Sequence, residues 1–360
     1  MNILHTETLK KWGGQQNRVL SECVGLTQKG HDAIVACNRG SVLARKAKER
    51  GIKVYELDLN KRTYLKSIPQ LMKIIKNEDV DIVSTHSSVD SWAGGLAAKL
   101  TGRRLVRFRH NLYPIGRDPL TRFIYAIPDR IVAISEAVKE VCINSGIKAE
   151  KIEVIYSSVD TDRFNPEVKD LKKELNIPDG YITIGNTSTF TRVKGQEYLL
   201  KAFNIIGKRH PVVLIFAGRM TERTYKKYIE LVESSLRDRV YCLNHREDIP
   251  EVLKTIDIFV YPSFMEGLGT ALLEAMAMER PVVVSRIPTF HSFIKDRVNG
   301  IFFNVKDVDD LVSRIDYLIE HRELRLTLGK RARQTILERF SFEGMINNTL
   351  KTYEAIVRSK

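Results

Sequence analysis

Short apolar runs recur along the chain, and between them lie longer stretches in which apolar positions return every three or four residues. In the first half the runs fall at residues 2–5, 33–37, 53–57, 81–85, 105–109, 130–134 and 153–156, with helical periodicity over stretches such as 15–29, 65–76 and 135–144. Residues 157–173, with Pro166 and several charges, break this rhythm and read as a linker. It then restarts, with runs at 181–186, 212–216, 240–243, 256–261, 281–285 and 300–303 and helical stretches such as 196–208, 222–236 and 307–319. Alternation of this kind predicts an α/β protein of two facing Rossmann-like domains, each a doubly wound parallel sheet. The expected divisions are 1–165, 166–340 and a last helix over about 341–359, within a segment 341–360 that crosses back to the first domain. Ligands of such sheets bind outside the carboxyl ends of the strands, so an interdomain cleft with room for two substrates is expected.

Composition narrows the class. The 360 residues, 43% hydrophobic, suit two cores better than one. Cys23, Cys37, Cys142 and Cys242 are scattered without a C-x-x-C spacing, which argues against a zinc site, a redox motif or a disulfide framework and favours a reducing cytoplasm. The first ten residues lack a signal-peptide core, and no apolar stretch approaches the roughly 20 residues that span a bilayer. Lys and Arg exceed Asp and Glu by 14, with a dense group at Arg103, Arg104, Arg107, Arg109, Arg117 and Arg122. Nothing matches a helix-turn-helix, zinc-finger or RNP1 pattern, so nucleic acid is set aside. A phosphorylated ligand and an anionic membrane surface, the inner face of the cytoplasmic membrane, remain as the expected anionic partners.

The most informative stretch is Tyr261-Pro262-Ser263-Phe264-Met265-Glu266-Gly267-Leu268-Gly269-Thr270, followed by Glu274 inside a helix-forming run over 270–279. Gly267 and Gly269 permit close backbone approach at a strand-to-helix turn, and the amides of the helix start favour a phosphate. Two carboxylates on that turn would repel an anion, and a hydroxyl-rich ligand resolves the conflict. Carboxylates accept hydrogen bonds from vicinal hydroxyls, so a ribose or sugar on Glu266 and Glu274, with phosphates on the amides, uses every group.

Three other loops are candidates. Lys11-Trp12-Gly13-Gly14-Gln15-Gln16 follows the first strand but is no G-x-G-x-x-G fingerprint, and Asn38-Arg39 stand where a nicotinamide cofactor needs an acidic residue. Arg192 and Lys194 precede a helix start, where they would hold a diphosphate and stabilise it as it leaves. His86 and His110 both end predicted strands; His110, in the arginine-rich stretch, is the candidate for a sugar hydroxyl or phosphate, whereas His86 reads as a loop residue. The Asp-x-Asp triplets at 79–81, 160–162 and 307–309 lie at a helix end, in the linker and at a helix start, so capping explains them better than a metal.

At this point the chain resembles the retaining glycosyltransferases of family 4, which have the GT-B fold, over nearly its whole length. The likeness rests on Gly13-Gly14, on residues 155–164, on Lys194-Gly195, on Ala217-Gly218, and on residues 257–267 with Glu274 completing an E-x7-E signature. The resemblance implies that Glu274 holds the nucleotide ribose, that Glu266 with Gly267, Leu268, Gly269 and Thr270 holds the donor sugar, and that Arg192 and Lys194 hold the diphosphate. It further implies Gly13 and Gly14 near the phosphates, His110 beside the sugar, and Leu243, Asn244 and Arg246 bordering the base. Catalytic roles would then fall to His110, Glu266, Arg192 and Lys194, with no cofactor and no bound metal. Two departures stand out: Thr189 replaces the family's arginine, and Ile287-Pro288-Thr289-Phe290-His291 replaces a Gly-Gly-x-x-Glu segment.

The expected activity is therefore transfer of a sugar from a nucleoside-diphosphate donor, with retention, to a lipid-linked, lipopolysaccharide or other cell-envelope glycan acceptor. Rival readings are a nucleotide-sugar epimerase of the same fold and a non-catalytic nucleotide-sugar-binding protein.

Overall fold

The computed structural model describes residues 1–60 and 62–358; Ser359 of the expected last helix and Lys360 of the expected C-terminal segment lie outside the described residues. The chain forms two compact units, residues 1–158 with 342–360, and residues 159–341. In the first, the strands β1 (Asn2–Glu7), β2 (Asp32–Asn38), β3 (Lys53–Leu57), β4 (Ile82–Thr85), β5 (Arg104–Arg109), β6 (Arg130–Ala133) and β7 (Ile152–Val154) form one sheet in the order β3-β2-β1-β4-β5-β6-β7. Every pairing is parallel, with His5 opposite Ser84 and Ser84 opposite Val106. Strand order reverses between β1 and β4, so the loops leaving these two strands part to opposite faces and open a crevice at their carboxyl ends.

The second unit repeats the plan with β8 (Ile182–Asn186), β9 (Val212–Phe216), β10 (Val240–Cys242), β11 (Ile258–Tyr261), β12 (Val282–Ser285) and β13 (Ile301–Phe303), in the order β10-β9-β8-β11-β12-β13. Its switch point lies between β8 and β11. The central strands carry residues such as Ile184, Leu214, Val260 and Val283 into a buried core, which is why they read as unbroken apolar runs.

The division falls between Ser158 and Val159, earlier than the break in pattern placed it. Val159 and Phe164 are buried, the Val159 amide donates to the Phe340 carbonyl at 3.0 Å, and Arg333 donates to the Phe164 carbonyl at 3.0 Å, so this stretch packs with the second unit. The last helix, Phe342–Arg358, belongs to the first unit. Met345, Ile346, Tyr353 and Ile356 share a core with Val19, Cys23 and Leu26 of the helix Gly14–Gln28. A Cβ at Gly25 would lie 2.3 Å from Ile346, so glycine there admits the packing. The Tyr353 hydroxyl meets Ser84 Oγ at 2.6 Å, and Thr349 donates to Glu22 at 3.2 Å.

One expected helix is interrupted. The stretch 222–236 forms a helix only over Glu222–Ile229, and a 3-10 turn follows at Ser234–Arg239. Asn204 is the cause: its amide donates to the Leu231 carbonyl at 2.8 Å and accepts from the Glu233 amide at 3.0 Å, taking backbone groups that a continuous helix would use. All four cysteines are free. Among the described residues no helix is long and apolar enough to cross a membrane.

Candidate active site

In the second unit the switch point brings the loops after β8 and β11 together. Asn186, at the end of β8, ties them: its amide donates to the Val260 carbonyl at 2.8 Å, and its oxygen accepts from the Ser188 amide at 3.0 Å. The β8 loop ends in a turn, Arg192–Lys194, and Gly195, whose φ of 67° is left-handed, caps the helix Gln196–Arg209. A Cβ at Gly195 would sit 2.1 Å from the Pro262 carbonyl oxygen, so the two loops touch backbone to backbone. The Phe264 amide closes the contact on the Val193 carbonyl at 2.8 Å.

That contact sets Lys194 against Glu266. Lys194 Nζ donates to Glu266 Oε1 at 2.6 Å and to the Tyr261 hydroxyl at 3.2 Å, while Ser263 Oγ donates to the same carboxylate oxygen at 2.6 Å. Thr289 Oγ1 donates to the Glu266 carbonyl at 2.6 Å, fixing the backbone as well. Arg192 and Thr189 are exposed on the facing loop. Gly269, with φ 89°, caps the helix Thr270–Ala277 against the Phe290 ring, and that helix ends two residues short of the expected 279 because Glu279 is itself left-handed, at φ 58°. Gly267, Leu268 and Thr270 lie on this turn, where a helix start leaves backbone amides without intrahelical acceptors. Glu274 is half-buried one turn inside; burial pushes its carboxyl up to about 7, against the opposing pull of Arg163. Burial, then the charges of Glu266 and Glu274, hold the Tyr261 phenol well above its usual range, so it stays a neutral donor.

Next to this turn, Gly218 admits the Ser188 carbonyl, which would lie 2.3 Å from an added Cβ. The Gly218 amide donates to the Asn244 carbonyl at 2.7 Å, and Asn244 is left-handed at φ 54°. Leu243 is half-buried and Asn244 exposed. Arg246 is tied within its own unit, donating to Asp248 at 2.5 Å and to Glu174 at 3.3 Å.

In the first unit His86 is a loop residue, as expected, but a buried one immediately after β4. His5 Nδ1 lies 3.1 Å from His86 Nε2, and His86 Nδ1 lies 3.2 Å from His110 Nε2, a ladder across β1, β4 and β5. The His86 ring stacks on Phe108 with centroids 4.7 Å apart, and its backbone amide donates to Asp90 at 2.7 Å. Burial depresses all three imidazoles, His5 and His110 to about 3, with the Arg18 charge adding to the effect. Glu7, at the end of β1, accepts from the amides of Thr8 and Leu9 at 2.7 and 2.9 Å and from Gln15 at 2.6 Å, fixing the loop that carries Gly13 and Gly14. Gly13 is extended, at φ −167°, a conformation open to any residue.

Four of the six arginines have partners within the unit, and Arg107 is buried. Arg103 pairs with Asp79 and Arg104 with Asp129; Arg107 donates to the Ile124 carbonyl and Arg109 to the Tyr125 hydroxyl. Arg117 and Arg122 remain exposed, beside exposed Tyr113, Leu120 and Phe123. The capping role of the third Asp-x-Asp triplet is seen directly, Asp307 accepting from the Asp310 amide at 3.0 Å. Tyr261, Ser263 and Thr289, which hold Glu266, and His5 with Asp90, which hold His86, were not singled out in the sequence. Thr289 had a signal, since it lies in the segment that departs from the family pattern.

Two Rossmann-like parallel-sheet units, each with its own switch point, make up the GT-B architecture. Residues 12–163 match the model of Glycosyltransferase Family 4 and residues 167–335 that of Glycosyl transferases group 1, and the chain belongs to the family 4 type of these enzymes. It is 27% identical over 323 residues, 82% of this chain and 81% of the relative, to the UDP-Gal:alpha-D-GlcNAc-diphosphoundecaprenol alpha-1,3-galactosyltransferase of Escherichia coli. Among solved structures, a glycosyltransferase from Rickettsia africae superposes with a TM-score of 0.92 at 23% identity, covering 100% of this chain and 99% of that one. The Anabaena protein HepE, solved in complex with UDP-glucose, superposes with a TM-score of 0.85 at 20% identity, covering 99% and 100%.

Proposed function

We propose that this glycosyltransferase moves a sugar from a nucleoside-diphosphate donor to a hydroxyl of a lipid-diphosphate-linked or other cell-envelope glycan, with retention at the anomeric carbon and without a bound metal. The observation that carries the reading is the Lys194–Glu266 pair at the β8/β11 switch point, with Glu274 one turn inside the helix that follows. Glu274 would accept from the ribose hydroxyls, and Leu243, Asn244 and Arg246 would border the base. Lys194 and Arg192 would carry the diphosphate charge, and Glu266 with the backbone of Gly267, Leu268, Gly269 and Thr270 would orient the sugar. His110 is assigned to a sugar hydroxyl, and the exposed backbone at Gly13 and Gly14 to a phosphate. In the reaction the bond from the anomeric carbon to the diphosphate breaks, and a bond to the acceptor oxygen forms on the same face. The acceptor's proton leaves with the nucleoside diphosphate or to solvent, and cationic stabilisation of that leaving group with positioning supplies the rate.

A UDP-linked donor and a lipid-diphosphate acceptor are favoured by the substrates in the name of the Escherichia coli relative and by the ligand of HepE. On the first unit, exposed Arg117 and Arg122 close in sequence to exposed Leu120 and Phe123 suit the membrane surface where such an acceptor resides. The test is incubation with a panel of UDP-sugars and a lipid-diphosphate-linked acceptor, following UDP release and the anomeric configuration of the product by NMR. Acceptor-dependent release that falls about a hundredfold in Lys194→Ala is expected. An inverted product, conversion without acceptor, or no turnover of any donor would each overturn the reading.

A further inference from the structure

The three histidines of the first unit form a hydrogen-bonded row whose polarity the surroundings decide. Each neutral imidazole carries one N–H, so the row runs in one of two senses. If protons point from His5 toward His110, His5 carries hydrogen on Nδ1, His86 on Nδ1 and His110 on Nδ1. In the reverse sense all three carry it on Nε2.

Two observations select the first sense. His5 Nε2 is buried with no hydrogen-bond partner, so the reverse sense would strand an N–H there, whereas the first leaves only an unused lone pair. Glu22 Oε2, also without a partner, lies 4.0 Å from His5 Nδ1, and a carboxylate favours the positive N–H end of the ring facing it. Glu22 is fixed from the other side, its Oε1 accepting from Arg18 Nε at 2.9 Å and from Thr349 at 3.2 Å. His5, Glu22 and His86 are also the one group of metal-ligand type among the described residues, within 4.8 Å of one another. His5 Nδ1 and His86 Nε2 already share a hydrogen bond, and Arg18 holds the other oxygen of Glu22, so the row reads as a hydrogen-bond chain.

We propose that His86, with His5 behind it, is a positioning residue that holds His110 as the Nδ1–H tautomer, so that His110 presents a hydrogen-bond donor to a hydroxyl of the sugar substrate. His110 is half-buried, and its Nε2 accepts from His86, which leaves Nδ1 as the outward nitrogen. His86 is itself held in place, since Phe108 stacks on its ring and Asp90 takes its backbone amide, so it cannot swing to follow His110. All three rings stay neutral at physiological pH because burial depresses them. The proposal rests on the assignment of His110 to a sugar hydroxyl.

The test reads the tautomer apart from activity, by long-range proton–nitrogen NMR of the full chain labelled at histidine. The expected spectrum gives His110 a pyrrole-type Nδ1 and a pyridine-type Nε2; the opposite pattern, or a mixture, overturns the proposal. His86→Leu should mix the His110 tautomers and lower kcat about fivefold, the loss of roughly one hydrogen bond, with donor KM unchanged. His86→Gln, which can still donate to His110, should restore both readings. Unchanged kcat in folded His86→Leu, when His110→Ala is impaired, overturns the positioning role. Full turnover in His110→Ala strikes at the sugar assignment instead, while the wild-type spectrum still decides the row's polarity.

Discussion

If Glu274 holds the ribose as proposed, donor affinity should depend on pH in a direction and size that follow from the burial of its carboxyl. Its carboxyl is pushed up to about 7 in the free protein, so about half is protonated at neutral pH. A protonated carboxyl accepts poorly from two ribose hydroxyls, so the nucleotide binds the ionised form and its Kd scales as one plus the ratio of protonated to ionised carboxyl. The sign is therefore weaker binding toward acid: from pH 8 to pH 6 the Kd should rise about tenfold, about 1.4 kcal/mol, and above pH 8 it should level off. Isothermal titration with UDP at a series of pH values measures this. Glu274→Gln is the necessary control, because the terminal phosphate of UDP titrates over the same range in both proteins. The variant should bind about ten- to a hundredfold more weakly at pH 8, the strength of hydrogen bonds to a charged acceptor, and should lose the extra slope. Equal slopes in the two proteins would refute the assignment of Glu274 to the ribose.

Gly195→Ala should cost about 2–5 kcal/mol, combining a left-handed alanine with an overpacked loop contact whose carbonyl lies 2.1 Å from the new Cβ, whereas Gly13→Ala, extended and facing only the Gln16 side chain at 3.3 Å, should be close to neutral; thermal unfolding compares them. Tyr353→Phe removes the buried hydroxyl that meets Ser84 at 2.6 Å and should lower stability by about 1–2 kcal/mol, read as a lower urea midpoint at unchanged slope. Binding to anionic vesicles should weaken with salt, because Arg117 and Arg122 are exposed and screened within about 10 Å at 0.1 M, and Leu120→Ser with Phe123→Ser should weaken it at every salt concentration; salt-independent binding, or no binding, would remove this face from the membrane.

The parallel strands were legible because a strand covered on both faces must be apolar throughout, as Val212–Phe216 and Ile258–Tyr261 are. Glu266 and Lys194 were legible for a related reason: each sits where a strand hands over to a helix, and glycines mark both places. What escaped was information carried by contacts distant along the chain. Nothing near Glu222 announces that Asn204 will end its helix. His86 stands among serines and a threonine, and nothing local shows that β1 and β5 close on either side of it. The arginines from Arg103 to Arg109 resembled a cationic surface because their partners, Asp79, Asp129 and the Ile124 carbonyl, come from other elements.

Under the proposed reading, the Lys194–Glu266 pair also explains how a turn rich in carboxylate could receive an anion. A free Glu266 carboxylate about 4 Å from a phosphate would oppose it by about 4 kcal/mol at an effective dielectric of 20. With Lys194 Nζ at 2.6 Å and Ser263 at 2.6 Å on the same oxygen, that charge is met locally, and the pair presents little net field. The net attraction for a diphosphate then falls to Arg192, exposed on the same turn, and to the start of the helix Thr270–Ala277. Thr189, standing where the family has an arginine, leaves Arg192 with a larger share of that work. Under the proposed reading, Arg192→Ala should therefore weaken UDP binding while leaving stability unchanged, because the exposed Arg192 supports no buried charge, whereas loss of Lys194 would disturb both at once.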